Sequence, residues 1–211
     1  MNRSIPWVLF VVALIAFGVS FSELERMRGR FGEVTRHQFH DHLDVRRFMI
    51  RAALAGLDRP IVILGDSITE MARFPESIEG YPVVNAGIGG ATIHDFLSLS
   101  TRILDEVTPS VIVVALGAND VGSSTVQEEY AALLSYLKKR APAVYAVAVT
   151  PLDGVEAINS QVVAAAKSAD VPVIETHITK AMLTDGIHPN PEGSRRWTAA
   201  VVAAIPGGPR S

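Results

Sequence analysis

The sequence predicts an α/β fold in which a parallel sheet is covered by helices on both faces. Two observations predict it. Short, continuous apolar runs rich in valine and isoleucine recur at 61–64, 83–85, 111–116, 144–149 and 171–174. They are too short for buried helices and carry the β-branched residues that suit a pleated surface. Stretches of helical character alternate with them, near 92–107, 125–140, 155–169 and 191–205. Five short strands with helices between them form a parallel sheet, because parallel neighbours need crossover connections.

Composition narrows the functional classes. The chain has 211 residues, 48% hydrophobic and 19% charged, with a formal net charge of −3. Set apart from its N-terminal segment, that is enough for one domain with a full core. The near-neutral balance argues against a nucleic-acid partner, which would call for a basic excess. With no cysteine, disulfides, thiolate metal sites and an N-terminal lipidated cysteine are excluded. No repeat of solenoid period is visible.

Taken in order, the chain opens with Arg3 and an uncharged apolar run from Ile5 to Phe21. Residues 1–22 are expected to be a transmembrane anchor, with a signal peptide cleaved near Gly18, Ser20 or Ser22 as the alternative. Residues 23–58 read as a juxtamembrane connector followed by a helix. Arg26, Arg28, Arg30 and Arg36 would face anionic headgroups, and His37-x-x-His40-x-His42 reads as a solvated segment rather than a metal site. From Leu43 to Leu57, Val45, Met49, Ala52, Ala53 and Leu57 fall at helical spacing and predict the packed stripe. Residues 59–205 form the α/β domain, and 206–211 an unstructured tail.

Four stretches carry chemistry. In Ile61-Val62-Ile63-Leu64-Gly65-Asp66-Ser67 a buried strand breaks at glycine and leaves Ser67 just beyond it, where a parallel sheet places its ligands. Ser67 is either a helix cap or a nucleophile. In Val83-Val84-Asn85-Ala86-Gly87-Ile88-Gly89-Gly90-Ala91-Thr92 a strand enters a glycine-rich turn, and Thr92 suits a helix N-cap. Neither the dinucleotide fingerprint nor the P-loop fits, so the turn is either inert or presents a backbone N–H to an anion. Val114-Ala115-Leu116-Gly117-Ala118-Asn119 brings Asn119 to the same sheet edge, as a turn residue or as an uncharged oxyanion donor. In Thr184-Asp185-Gly186-Ile187-His188-Pro189-Asn190-Pro191, proline keeps His188 extended, and Asn190 and Pro191 read as N-cap and first turn of a helix. Trp197, Val201 and Ile205 form the buried stripe of that helix. Asp185 stands three residues before His188, close enough in a turn to accept a hydrogen bond from the imidazole.

The four blocks Gly65-Asp66-Ser67-Ile68, Asn85-Ala86-Gly87-Ile88-Gly89-Gly90, Gly117-Ala118-Asn119-Asp120 and Asp185-Gly186-Ile187-His188 stand in the order of the SGNH, or GDSL-type, hydrolase superfamily. Over about residues 60 to 205 the chain resembles that superfamily. Isoleucine replaces the leucine of its nickname motif, and Ala91 stands where many members carry Asp. The resemblance implies a flavodoxin-like three-layer α/β/α sandwich with five parallel strands. It implies Ser67 as nucleophile, His188 as general base and Asp185 as its orienter. The oxyanion hole would be the N–H of Ser67, the N–H of Gly90 (Gly89 if the turn is shifted) and the side chain of Asn119. No metal or organic cofactor is implied. The expected activity is hydrolysis of an O-acyl ester, with an acetylated glycan as the leading substrate. The alternatives are a lysophospholipid, another lipid ester or a thioester, acyl transfer to an acceptor other than water, or a non-catalytic binding protein on the same fold. A single-pass anchor in the inner membrane with an extracytoplasmic domain is expected from Arg3, although the arginines after the run argue for the opposite orientation.

Overall fold

The computed structural model describes residues 5–36 and 41–205; within the first segment the side chains at 5, 6, 8, 9, 11 and 30–36 lie outside the description. The chain divides into two units, 1–41 and 42–211. His37, His40 and the tail at 206–211 are outside the described residues.

The first unit contains one helix, α1, Ile5–Arg36. It does not stop where the apolar run stops but continues through the charged stretch, where Arg26 pairs with Glu23 at 3.3 Å and Arg28 with Glu25 at 3.1 Å. Trp7, Phe10, Phe17 and Phe21 are exposed along it. The expected transmembrane helix is not found: among the described residues no helix is long and apolar enough to cross a membrane.

The second unit begins with α2, His42–Leu54. Its buried residues are Ile50 and Leu54, while Met49 is exposed. The packed stripe is therefore turned from the expected one, because α2 packs against the strand Tyr81–Gly87 and the helix Ile93–Ile103, and it is Ile50 and Leu54 that join the core there. Burying each side chain contributes about 1.5–3 kcal/mol. The α/β body follows: β1 Ile61–Gly65, α3 Ser67–Met71, β2 Ser77–Ile78, β3 Tyr81–Gly87, α4 Ile93–Ile103, β4 Val111–Ala115, α5 Val126–Leu137, β5 Ala143–Val147, α6 Glu156–Ser168, β6 Val173–Ile174 and α7 Pro191–Ala204. A single 3₁₀ turn, Lys180–Met182, precedes α7.

The sheet has six strands in the order β2-β3-β1-β4-β5-β6. Five are parallel, as expected from sequence; the sixth is β2, a two-residue edge strand antiparallel to β3. No apolar run marks it, since only Ile78 of the pair is buried. Alternate strand residues feed two cores on opposite faces. Val62, Leu64, Ile112 and Val114 join Phe96, Tyr130, Leu134 and Val162 on one side, and Ile61, Ile63, Val111 and Val113 join Ile68, Trp197 and Val201 on the other. This is a three-layer α/β/α sandwich, and β1 lies at its centre.

Candidate active site

The register of the central strands brings three loops to one edge. Gly65 at the end of β1 pairs with Gly87 at the end of β3 and with Ala115 at the end of β4. The segments carrying Ser67, Gly90 and Asn119 therefore leave the sheet side by side.

Ser67 is placed by two neighbours. A Cβ on Gly65 would lie 2.0 Å from Thr69 Oγ1 and 2.8 Å from the Ala115 carbonyl oxygen, so only glycine lets α3 start directly against the sheet. Asp66, not Ser67, is the N-cap of α3, accepting from the Ile68 N–H at 2.9 Å. That frees the Ser67 hydroxyl from capping. Burial of the Asp66 carboxyl pushes its pKa up to about 6; nearby Asp120 adds to the rise, while the Ile68 N–H and His188 oppose it.

The loop before α7 brings His188 to Ser67, with Oγ and Nε2 2.9 Å apart. On the far side of the ring, Nδ1 lies 2.7 Å from Asp185 Oδ2. Asp185 Oδ1 also accepts from the backbone N–H of His188 at 2.7 Å and of Ile187 at 3.0 Å. These bonds, the imidazole's first, hold the Asp185 carboxyl well below the usual carboxylate range. A carboxylate only accepts, so the neutral ring carries its proton on Nδ1 and Nε2 accepts from Ser67. The loop closes at its base: the Asn190 N–H donates to the Met182 carbonyl at 2.7 Å and the Thr184 N–H to that of His188 at 2.8 Å. As expected, Asn190 caps α7 and Pro191 opens it.

The glycine turn between β3 and α4 is held from several sides. The Ile88 N–H donates to the Gly65 carbonyl at 2.9 Å, and the Gly89 N–H donates to Glu70 Oε2 at 2.6 Å. Gly90 has φ +76°, a conformation glycine adopts without strain. Among the described hydrogen bonds the N–H groups of Ser67 and Gly90 have no acceptor, whereas that of Gly89 is spent. Thr92 caps α4 in a reciprocal capping box with Asp95. Asn119 Nδ2 donates to the Ala91 carbonyl at 3.0 Å, which leaves its second amide hydrogen available. Asp120 accepts from the Ile93 N–H at 3.1 Å and pins the start of α4; burial pushes its carboxyl up as well.

All five residues singled out from sequence thus meet at one sheet edge. Three further residues support the site: Asn85, which stands in the second motif block without an assigned role, and Glu70 and Arg46, which lie outside the blocks. Asn85 accepts from the Gly87 N–H at 3.0 Å and donates to the carbonyls of Thr69 at 2.7 Å and Ala72 at 3.1 Å, closing the far end of α3. Glu70 holds the glycine turn, and Arg46 of α2 holds Glu70 at 3.2 Å. An asparagine inside an apolar strand run was the one sequence signal for this network. His42 was read as solvated; it opens α2 and its Nε2 lies 2.8 Å from Glu70 Oε2. Among the described residues no three His, Asp or Glu side chains gather in a way that would hold a metal ion.

A hydroxyl bonded to an imidazole whose other nitrogen is held by a carboxylate is the equipment of a serine hydrolase. The chain belongs to the GDSL-like lipase/acylhydrolase family, whose model matches residues 63–196, and is an ester-hydrolysing enzyme. Similar solved structures include a GDSL-like lipase from Bacteroides thetaiotaomicron, at 22% identity and TM-score 0.62, covering 80% of this chain and 98% of that one. A lipase/acylhydrolase from Enterococcus faecalis matches at 20% identity and TM-score 0.58, over 72% of this chain and 100% of that one. An acetyl xylan esterase from Geobacillus stearothermophilus matches at 17% identity and TM-score 0.58, over 74% and 98%. At these identities the likeness is one of fold. No curated protein matches the chain.

Proposed function

We propose that the enzyme is a serine esterase that cleaves an O-acyl ester through an acyl-enzyme. The observation that carries this is the unbroken line Ser67 Oγ, His188 Nε2, His188 Nδ1, Asp185 Oδ2, with separations of 2.9 and 2.7 Å. Ser67 Oγ attacks the ester carbonyl as its proton passes to His188 Nε2, and the imidazolium is stabilised by Asp185. The oxyanion takes hydrogen bonds from the Ser67 N–H, the Gly90 N–H and Asn119 Nδ2. Collapse expels the alkoxide, which takes the proton from His188. Water then attacks the acyl-enzyme by the same route in reverse order of bonds, releasing the acid and restoring Ser67.

For the substrate we propose a small acyl group, such as acetate, on a glycan. Two features support it. A cavity of about 200 Å³ between α3 and α7 is lined by Ile68 and Pro189, the chain neighbours of Ser67 and His188, and by Met71, Pro191, Ser194 and Trp197. A protein of the same fold is an acetyl xylan esterase. A second reading, a lysophospholipid or other lipid ester, is favoured by one observation. A larger groove of about 710 Å³ shares Met71, Pro191 and Ser194 with that cavity and runs past Arg73 and Arg195 to Val202. Kinetics on p-nitrophenyl esters of graded chain length, then on acetylated xylan and lysophosphatidylcholine, decide between them. A fall in kcat/KM beyond C4 and release of acetate from xylan are expected; rising kcat/KM toward C8–C12 would establish the lipid reading instead.

An extracytoplasmic location is part of the same proposal, supported by Arg3 ahead of the apolar run 5–21, the charged start and apolar core of an export signal. Alkaline phosphatase fused after Arg59 should be active, because it needs an oxidising compartment to form its disulfides. An inactive phosphatase beside a fluorescent GFP fusion at the same point would place the domain in the cytoplasm.

A further inference from the structure

The turn that presents Gly90 is held by residues outside the four motif blocks, and some of them lie outside the family's matched region. Glu70 lies three residues after Ser67, on the same five-residue helix. Its side chain is 21% exposed, and Oε2 takes the Gly89 N–H at 2.6 Å. Arg46 from α2, 17% exposed, lies behind it. Its Nη2 donates to the Gly87 carbonyl at 2.8 Å and its Nε lies 3.1 Å from the same oxygen and 3.2 Å from Glu70 Oε1. His42, one turn earlier on α2, adds a contact to Glu70 Oε2 at 2.8 Å. There is no slack in this packing: a Cβ on Gly87 would lie 2.2 Å from the backbone N of Glu70.

Physically, this arrangement solves one problem and creates another. The N–H of Gly89 competes with that of Gly90 as the donor of the turn, and Glu70 removes it from the competition. The cost is a carboxylate one residue away from a donor meant for an oxyanion. Like charges in a site sheltered from solvent repel strongly. The guanidinium of Arg46 offsets that charge while also bonding the carbonyl that leads into the turn.

We propose that Arg46 and Glu70 are positioning residues for the oxyanion donor Gly90. Through them α2, which precedes the matched region 63–196, is a working part of the active site. The proposal rests on the reading of Gly90 as an oxyanion donor. Arg46 carries both tasks, geometry and charge. Glu70 carries geometry alone, and its charge is a liability once Arg46 is gone.

The test is steady-state hydrolysis of p-nitrophenyl acetate by the full chain, with Arg46→Ala, Arg46→Lys, Glu70→Gln and the double variant Arg46→Ala/Glu70→Gln. A displaced donor lowers kcat by up to about 10²-fold. Arg46→Ala is expected to lower kcat by about 10–100-fold with KM changed less than about threefold, since the interaction belongs to the transition state. Glu70→Gln keeps an oxygen for the Gly89 N–H and should cost less than about tenfold. The distinguishing result is the double variant, which should be faster than Arg46→Ala alone, because removing the uncompensated carboxylate relieves repulsion that a merely structural role would not produce. Arg46→Lys, with the charge but not the fork, should fall between wild type and Arg46→Ala. If Arg46→Ala does not fold, Arg46→Gln, which fills the space without the charge, takes its place in the same cycle with Glu70→Gln. Additive losses in the double variant, or losses confined to KM, overturn the proposal. Ser67→Ala, run alongside, reports separately on the esterase reading: activity surviving in it would sink that reading, whatever Arg46 does.

Discussion

The two loops that converge on Ser67 are held in opposite ways. The His188 loop is self-contained: one exposed carboxylate, Asp185, accepts from Ile187, from the His188 backbone and from the imidazole, all within three residues. The glycine turn owns almost none of its supports. Glu70 is 19 positions away from the Gly89 it binds, and Arg46 is 41 away from Gly87. The difference follows from what each loop presents. A side chain such as His188 can be oriented by a neighbour in its own turn. A backbone N–H can be aimed only by fixing the whole turn, and that takes partners from other elements.

Four experiments bear on this contrast, beginning with the largest effect. His188→Ala should lower kcat on the order of 10⁶-fold, as should Ser67→Ala, because the two act as one unit. Fluorophosphonate labelling should disappear from the Ser67 variant; persistent labelling there would remove Ser67 from the mechanism. Asp185→Asn should cost on the order of 10⁴-fold, since asparagine can still accept the two backbone N–H groups but no longer stabilises the imidazolium. Thermal denaturation of this variant should match wild type closely, as the loop keeps its local bonds. A large loss of stability would mean that the His188 loop is not self-contained.

Asn119→Ala should lower kcat by about 10²–10³-fold, the usual loss for one oxyanion donor, with a smaller change in KM. Its bond to the Ala91 carbonyl makes it a strut of the glycine turn beside its proposed role as a donor. Asn119→Ser, which restores a shorter donor, should recover part of the rate; no recovery would assign the effect to the strut alone.

The smallest effect concerns Asp66, whose carboxyl is buried, with the charges of Asp120 and His188 acting on it in opposite directions. Its folded pKa is raised to about 6 from an ordinary 3.8. Between those values the folded protein keeps a proton that the unfolded chain has released, so stability falls as pH rises through the window. The loss from this group is at most about 3 kcal/mol. Asp66→Asn keeps the acceptor for the Ile68 N–H and removes the titration. Urea midpoints should therefore shift in favour of the variant, relative to wild type, from pH 4 to pH 7. A gap that stays constant with pH would show that Asp66 does not titrate there.

The same contrast explains what the sequence made legible. Asp185 and His188, three apart beside a proline, could be read as a unit because the interaction is local. The parallel strands themselves were legible because continuous apolar runs mark them, although β3 extends to Gly87 where the apolar run stops at Asn85. The edge strand β2 carries a single buried residue and left no pattern. The stripe of α2 is set by its packing against β3 and α4, so Ile50 and Leu54 face inward where the spacing suggested Met49. Arg46 and Glu70 carry no sequence signal, since nothing within a few residues indicates that they meet across the fold. Charge partners at long sequence separation are invisible to any reading of spacing.

The closure at the base of the His188 loop has a kinetic consequence. Met182 accepts from Asn190, Leu183 bridges to Pro189, and a Cβ on Gly193 would lie 2.7 Å from the Met182 carbonyl oxygen, so the loop is pressed onto the first turn of α7. A segment fastened at both ends, with its imidazole already 2.9 Å from the serine, forms the triad before any substrate arrives. Progress curves should start at full rate without a lag, and an acylating inhibitor should meet the same reactive serine in every molecule, whether or not substrate has been there first.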